Sequence, residues 1–537
     1  MTTERVPYIL AIDLGTSGAK VALVSVHGGV VGWDFEPVQL FLLPHGGAEQ
    51  DPEEWWSSIL TASKRLLGKE IVPRSEIVGV CAGTHGIGTV PVDQDGKPLM
   101  RAMIWLDSRG ANLVQKHVRG LISIEGFDVF RILRWLAITG GAPVRSGKDV
   151  IAHFLYLKNE LPSVYEKAYK FLDVVDYIDF RLTGEYIATT DTIGISWVTD
   201  NRNPDNIHYH AGMIKDWGVD PQKLPEIKRC IDVIGNLRPD VADELGLRRD
   251  VKVVAGGFDL PVAAVGSGAV ENFAAHLSIS TSSFMTAHVP FKKTDLFHMI
   301  ASLPCAIPGR YLLVAEQEIG GGNLTFLRDK ILFHRDALLD IENPAGYFEA
   351  LNEVAEKAPA GSNGLIYTPW LYGERSPVED PWIRAAFHNI SLGTTRGDMI
   401  RSIFEGVALN ARWILGPAEK FCGRRLDPLH VAGGGASSNL WCQIHADVLN
   451  RTVRQVKNPI QAVARGAAFL ASVGMGYITF GDVSKLIQFE GIYEPNPANR
   501  SLYDERFEIF LDLYKHNKKI YERLNRPRGP VKAHTGT

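Results

Sequence analysis

The most constraining feature is a hairpin pattern near the N-terminus whose neighbourhood is written twice. The β-rich runs 7–13 and 21–26 flank the turn Leu14-Gly15-Thr16-Ser17-Gly18. Another strand follows near Val30. A helix is then announced by Asp51 as N-cap, Pro52 at its first position and two glutamates in its first turn. Trp56, Ile59, Leu60, Ser63 and Leu67 are predicted on its buried face, and a strand over 77–82 comes next. Hairpin, strand, helix and strand in that order specify a mixed sheet with helical cover. About halfway along, the order recurs in strand-like 275–280, the turn Ser280-Thr281-Ser282-Ser283, and strands over 284–289 and 310–315. A helix at about 398–415 then places Ile400, Ile403, Phe404, Val407, Ala411 and Ile414 at helical spacing. Strand 429–432, a helix opened by Ser437 or Ser438, strand 452–456 and a helix from about 461 complete the second pattern. A duplicated architecture in 537 residues predicts two lobes with a break near 255–272.

Composition excludes several classes. Formal net charge is −4, so no global positive field holds a polyanion, and nucleic acid is not an expected partner. The five cysteines are scattered and form no C-x-x-C pair, which argues against a disulfide framework or a zinc site and for a reducing cytosol. The N-terminus shows no apolar signal segment. The apolar stretch 463–480 carries Arg465 and several glycines and reads as a buried helix, so no membrane partner is expected. The expectation is a cytoplasmic enzyme.

Four segments carry candidate chemistry. Asp13 with Gly15, Thr16, Ser17 and Gly18 forms a tight turn whose backbone N–H groups can meet a phosphate, and a carboxylate at the end of a buried strand suits Mg²⁺ or its water shell. Gly433-Gly434-Gly435 joins a strand to a helix and leaves backbone bare where a flat ring or phosphate can lie. Gly256-Gly257-Phe258-Asp259-Leu260-Pro261 follows the strand-like run 251–255 and can project Asp259 into a cleft, where a carboxylate orients and deprotonates a hydroxyl. The structural alternative makes Asp259 the N-cap of a helix begun by Pro261. Thr84-His85-Gly86 and Trp105-Leu-Asp107-Ser-Arg109 supply polar groups and an aromatic plane of the kind that binds sugars, although a lone histidine more often satisfies a loop. Gly141-Ala-Pro-Val-Arg-Ser-Gly147-Lys148-Asp149 is rejected as a P-loop, because one residue too many separates the glycines and Asp replaces the Ser or Thr after Lys. No G-x-S-x-G or H-E-x-x-H motif is present.

Taken together, these segments resemble the FGGY carbohydrate kinases, most closely the xylulokinase-like pattern. The resemblance runs from IDLGTSGAK at 12–20 through EQDPEEWW at 49–56, WLDSR at 105–109, DYIDFRLTGE at 176–185 and GGFD at 256–259. It continues through PWLYGERSP at 369–377, FEGVALN at 404–410 and GGGASSNLWCQIHADVLN at 433–450. It implies an α/β fold of two ribonuclease-H-like domains, as in actin, hexokinase and the Hsp70 ATPase, around a central cleft. The domains are expected over 1–258 and 259–537.

By position, the resemblance assigns ATP to Asp13, Gly15, Thr16, Ser17, Gly18 and Lys20, to Thr281 and Ser282 of the second phosphate turn, and to Gly433, Gly434, Gly435, Ser437 and Asn439. It assigns the acceptor to Thr84, His85, Trp105, Asp107, Arg109, Asp259 and Leu260, makes Asp259 the catalytic base, and places Mg²⁺ at Asp13 and Asp259. The implied reaction moves the γ-phosphoryl group of ATP to a sugar or polyol hydroxyl, with a ketopentose such as xylulose foremost and a homodimer as an expected assembly.

This sequence departs from the family at Ser280–Ser283, where similar kinases have Gly-Thr-Ser-Gly, and at Thr84 and Leu260, where xylulokinases have Met and Asn. It departs also at Asn389, a packing position where the family has Gly. Rival readings are an actin- or Hsp70-like ATPase and a sugar-sensing pseudokinase.

Overall fold

The computed structural model describes residues 6–120, 122–124, 126–334 and 346–526. In the first half, β1 (Tyr8–Gly15), β2 (Gly18–Ser25) and β3 (Val30–Pro37) form a meander. They are followed by α1 (Pro52–Gly68), β4 (Ile77–Thr84), α2 (Val150–Glu160), α3 (Val174–Thr183), β5 (Val233–Asn236), β6 (Lys252–Phe258) and α4 (Asp259–Gly266). The sheet order is β5-β6-β4-β1-β2-β3. β1 runs antiparallel to β2 and parallel to β4, and β6 runs parallel to β4.

The second half contains β7 (Ala275–Ile279), β8 (Ser283–Val289), β9 (Thr294–Asp295), β10 (Ile300–Pro304) and β11 (Tyr311–Gln317). Next come α5 (Arg396–Cys422), β12 (Leu429–Ala432), α6 (Asn439–Leu449), β13 (Val453–Val456), α7 (Ala462–Gly474), β14 (Phe489–Tyr493) and α8 (Arg500–Asn525). The order β9-β10-β11-β8-β7-β12-β13-β14 contains the same motif as the first sheet: a meander, two parallel neighbours, then an antiparallel edge. The duplication read from the sequence is therefore present.

β1 is buried on both faces, which is why its sequence is a continuous apolar run. Leu10, Ile12 and Leu14 join the core under α1 and α3, while Ile9 and Ala11 meet α4 and α7. Thus α7, late in the chain, covers the first sheet. It crosses α4 at backbone contact: a Cβ on Gly266 would strike the Ala462 carbonyl, and one on Gly466 would strike the Val262 carbonyl.

Several local expectations change. Asp51 caps α1 as expected, accepting from the Glu53 amide at 2.9 Å. The helix lies on β2 and β3 and buries a wider stripe that adds Trp55, Ala62 and Leu66, while Leu60 is half-buried. α5 runs past Pro417 to Cys422, because Ala418, Phe421 and Cys422 continue its buried stripe. Ser438, not Ser437, caps α6. Asp259 is the first residue of α4 and not its cap; Phe258 holds that position and supplies no side-chain bond. Asn389 has φ 72°, a left-handed conformation that explains why glycine suits the position. Asp149 of the rejected P-loop caps α2, accepting from Ala152 N at 3.1 Å.

Candidate active site

In a parallel sheet, ligands meet the carboxyl ends of the strands. Here β1, β4 and β6 end side by side, with Asp13 in register with Gly83, Leu14 with Thr84, and Phe258 with Thr84. These three ends carry Asp13, His85 and Asp259.

Asp13 is buried and pairs with Lys20 Nζ at 2.5 Å; the same ammonium reaches the Ile460 carbonyl at 3.0 Å. The turn beyond Asp13 is fixed from outside. Gln50 Nε2 donates to the Thr16 carbonyl at 2.8 Å, and Trp105 Nε1 donates to Thr16 Oγ1 at 3.0 Å. Gly18 is required by packing, since a Cβ would strike Phe35, whereas a Cβ on Gly15 would have nothing nearer than 3.9 Å. Ser17 is exposed at the tip.

The turn leading to Asp259 is shaped by close approach. β6 bulges between Val254 and Gly257, and Gly256, at φ 71°, passes so near the Ala82 carbonyl that no side chain fits. Gly257 abuts Asp191, whose Oδ2 accepts from Phe258 N at 3.0 Å. Asp259 remains partly accessible beyond this support. Its carboxyl is pushed up to about 8, first by enclosure in protein, then by the neighbouring Asp13 and Glu316 carboxylates.

The proposed acceptor wall is more heterogeneous than its motifs. His85 is 4% exposed, lies edge-on to Trp55 at 5.7 Å, and has no hydrogen-bond partner for either ring nitrogen among the described residues. Burial pushes it down to about 4, so the ring is neutral at pH 7. Thr84 is buried and donates to the His85 carbonyl at 3.0 Å. Asp107 is wholly buried, and its oxygens accept from Ala48 N at 2.9 Å, Arg109 N at 3.0 Å and Arg109 Nε at 2.9 Å. Arg109 also pairs with Glu49 at 2.7 Å and lies over the Tyr156 ring. Leu260 is half-buried beside Asp259.

At the second sheet the strand ends present backbone. Ser278 of β7 is in register with Ala432 of β12, which sets the turn after β7 beside Gly433. Gly433 has φ 93° and lies against the Ile279 carbonyl and Ser280 Oγ. Gly435 packs on Ile279, but a Cβ on Gly434 would meet nothing within 4 Å. Thr281, Gly434, Ser437 and Asn439 are exposed, and Ser282 is half-buried. The second turn lacks glycine, yet three glycines border it. Gly320 N donates to the Thr281 carbonyl at 2.8 Å, Gly321 N to the Ser280 carbonyl at 2.6 Å and Gly322 N to the Thr281 carbonyl at 3.1 Å.

Residues 8–266 match the N-terminal domain, and residues 275–475 the C-terminal domain, of the FGGY family of carbohydrate kinases. The chain belongs to this family. It is an ATP-dependent carbohydrate kinase. The chain is similar to the xylulose kinase of Staphylococcus epidermidis, 27% identical over 95% of this chain and 97% of that one. The gluconokinase of Bacillus subtilis is 23% identical over 96% and 97% of the two chains. Among solved structures, the gluconate kinase of Lactobacillus acidophilus superposes with a TM-score of 0.82 at 23% identity, covering 97% of this chain and all of that one. No helix among the described residues is long and apolar enough to cross a membrane.

Sequence reasoning did not single out four residues that lie around the candidate site: Gln50, Asp191, Glu316 and Arg375. Gln50 lies within EQDPEEWW, but nothing in that motif announces its reach to the Thr16 carbonyl. Arg375 pairs with Glu316, and its Nε lies 3.4 Å from Glu318. Beside it, buried Glu374 accepts from Asn410 Nδ2 at 2.6 Å, so PWLYGERSP and FEGVALN meet in space. Among the described residues, no group of three His, Cys, Asp or Glu side chains is arranged to hold a metal. Mg²⁺ bound with nucleotide phosphates takes one or two protein carboxylates and keeps several waters. Asp13 has the hard oxygen chemistry for it.

Proposed function

We propose that this kinase phosphorylates a hydroxyl of a ketopentose such as xylulose, or of a related ketose or polyol. Asp259 would be the base, and ATP would lie between the two phosphate turns and Gly433–Gly435. The observation that carries this reading is the placement of Asp259: a partly accessible carboxyl on a braced strand end, beside the strand end that leads into the first phosphate turn.

In this reading the acceptor hydroxyl donates to Asp259 and loses its proton there as its oxygen bonds the γ-phosphorus and the bond to the ADP oxygen breaks. Backbone N–H groups around Gly15–Gly18 and the Thr281 and Ser282 turn would receive the phosphoryl charge, aided by Lys20. The neutral, unpartnered His85 ring would exchange hydrogen bonds with an acceptor hydroxyl, while Trp105 offers its ring face and ties the acceptor wall to the phosphate turn. Because both Asp107 oxygens are engaged, its role would be to aim Arg109, not to touch sugar. Asp13 and Asp259 would hold Mg²⁺, whose contribution is to neutralise phosphate charge.

The lobes would divide at 258/259, with closure of the cleft excluding water. ADP release measured over pentuloses, hexuloses, pentitols and glycerol tests the reading. One product phosphate per ATP with a ketopentose preferred supports it, and a preference outside ketoses and polyols sinks it.

A further inference from the structure

We propose that a polar pocket on the seam between the lobes binds a small polyol phosphate and transmits its occupancy to Asp259. The pocket, about 120 Å³, opens between segment 190–232 and the turn joining β10 to β11. A single water needs about 10–15 Å³, so a small organic molecule has room. None of its lining residues is assigned above to nucleotide or acceptor.

The charges on its walls define the ligand. Arg229 is taken by Asp232, with Nε at 2.9 Å from Oδ1, and Lys228 by Glu226 at 2.5 Å. Arg310 has no carboxylate within 4.0 Å among the described residues and donates only to the Val270 carbonyl. Asp205 reaches the same turn from the other lobe, with Oδ1 3.1 Å from where a Cβ on Gly309 would stand, and has no cation within 4.0 Å among the described residues. A free guanidinium suits phosphate, and a free carboxylate accepts from hydroxyls. A polyol phosphate presents both.

Both walls lead to Asp259. Thr190 lines the pocket, and the next residue, Asp191, accepts from Phe258 N immediately before the base. On the other wall, Arg310 is one of four side chains that hold carbonyls within 266–270, where α4 leaves for β7. Arg465 holds Gly266 at 3.2 Å, His430 holds Ser267 at 2.9 Å, His288 holds Ala269 at 2.7 Å, and Arg310 holds Val270. Only Arg310 of these four faces the pocket. A phosphate that draws the Arg310 guanidinium off the Val270 carbonyl would loosen the crossover behind Asp259.

The test is calorimetry on the full chain with glycerol 3-phosphate and ribose 5-phosphate, with glycerol and inorganic phosphate as separate arms, joined to inhibition kinetics. The binding arm needs no turnover, so its outcome is independent of which acceptor the kinase uses. The polyol phosphates should bind. Asp205→Asn, which leaves the hinge contacts in place, should weaken them at least about tenfold, and Arg310→Gln should weaken them further. They should inhibit the wild type without competing with the acceptor, and Asp205→Asn should relieve that inhibition. Unchanged binding in Asp205→Asn, or inhibition purely competitive with the acceptor, overturns the proposal. Inorganic phosphate binding as tightly as the esters overturns the assignment of a polyol ligand.

Discussion

The two sheets share one topology but end differently. The first sends Asp13, His85 and Asp259 from its parallel strands, whereas the second sends the Ser280–Ser282 turn and Gly433–Gly435. One end is side-chain chemistry and the other is exposed backbone. The difference teaches how one topology serves two ends: in the proposed reading the first sheet handles the proton and offers one phosphate turn, and the second holds the rest of the nucleotide.

The division is broken most directly at Asp259. Asp259→Asn should lower turnover by roughly 10²–10⁴-fold while nucleotide affinity, measured by calorimetry, stays near wild type. Stability should move the other way. The carboxyl's pKa is raised from 3.8 to about 8 in the folded chain, so it opposes folding increasingly as pH climbs between those values. The Asn variant should therefore melt no lower than wild type at pH 7, and any advantage should vanish below pH 3.8. Retention of more than about a tenth of turnover would remove Asp259 as base.

At the end of the second sheet, Gly434→Leu should leave the fold intact, because its Cβ would meet nothing within 4 Å. It should weaken ATP by at least about tenfold, or 1.4 kcal/mol, with little change in acceptor binding. Normal ATP affinity in the folded variant would detach this loop from the nucleotide. Beside Asp259, Leu260→Asn should supply a hydrogen bond to a sugar hydroxyl and raise kcat/KM for D-xylulose by about tenfold. If wild type already prefers xylulose over every other acceptor, Leu260 is not the discriminating residue.

The smallest effect lies where the lobes meet. Glu316 belongs to the second sheet yet raises the pKa of Asp259. The acidic limb of kcat/KM for the acceptor should fall near pH 8, with activity rising as pH rises and the base ionises. Glu316→Gln should move that limb to lower pH, and nucleotide affinity should not share it. A limb that stays in place would separate Glu316 from the base.

Much of this was legible in the sequence because the signals were local. Apolar β-rich runs, Asp51-Pro52 and the glycine turns each act within a few residues, so both sheets and α1 could be placed. What was hidden depends on contacts distant in sequence. Asp191 supports Phe258 from 67 residues away, and Gln50 reaches the Thr16 carbonyl across 34. The turn at Ser280–Ser283 gave no local sign of the Gly320–Gly322 segment that donates to its carbonyls from another strand's exit. Asp107 was assigned to substrate because its residue type fits a sugar site, and its burial with bonds from Arg109 and Ala48 is a matter of packing that no spacing reveals.

The crossing of α4 and α7 gives the joint between lobes a mechanical character. Where Gly266 meets the Ala462 carbonyl and Gly466 meets the Val262 carbonyl, no side chain stands between the helices to compress or repack. Such a contact has little slack: even a methyl group at either glycine would stand 1.8 or 1.9 Å from a carbonyl oxygen and act as a wedge that drives the two helices apart, far from any reacting atom.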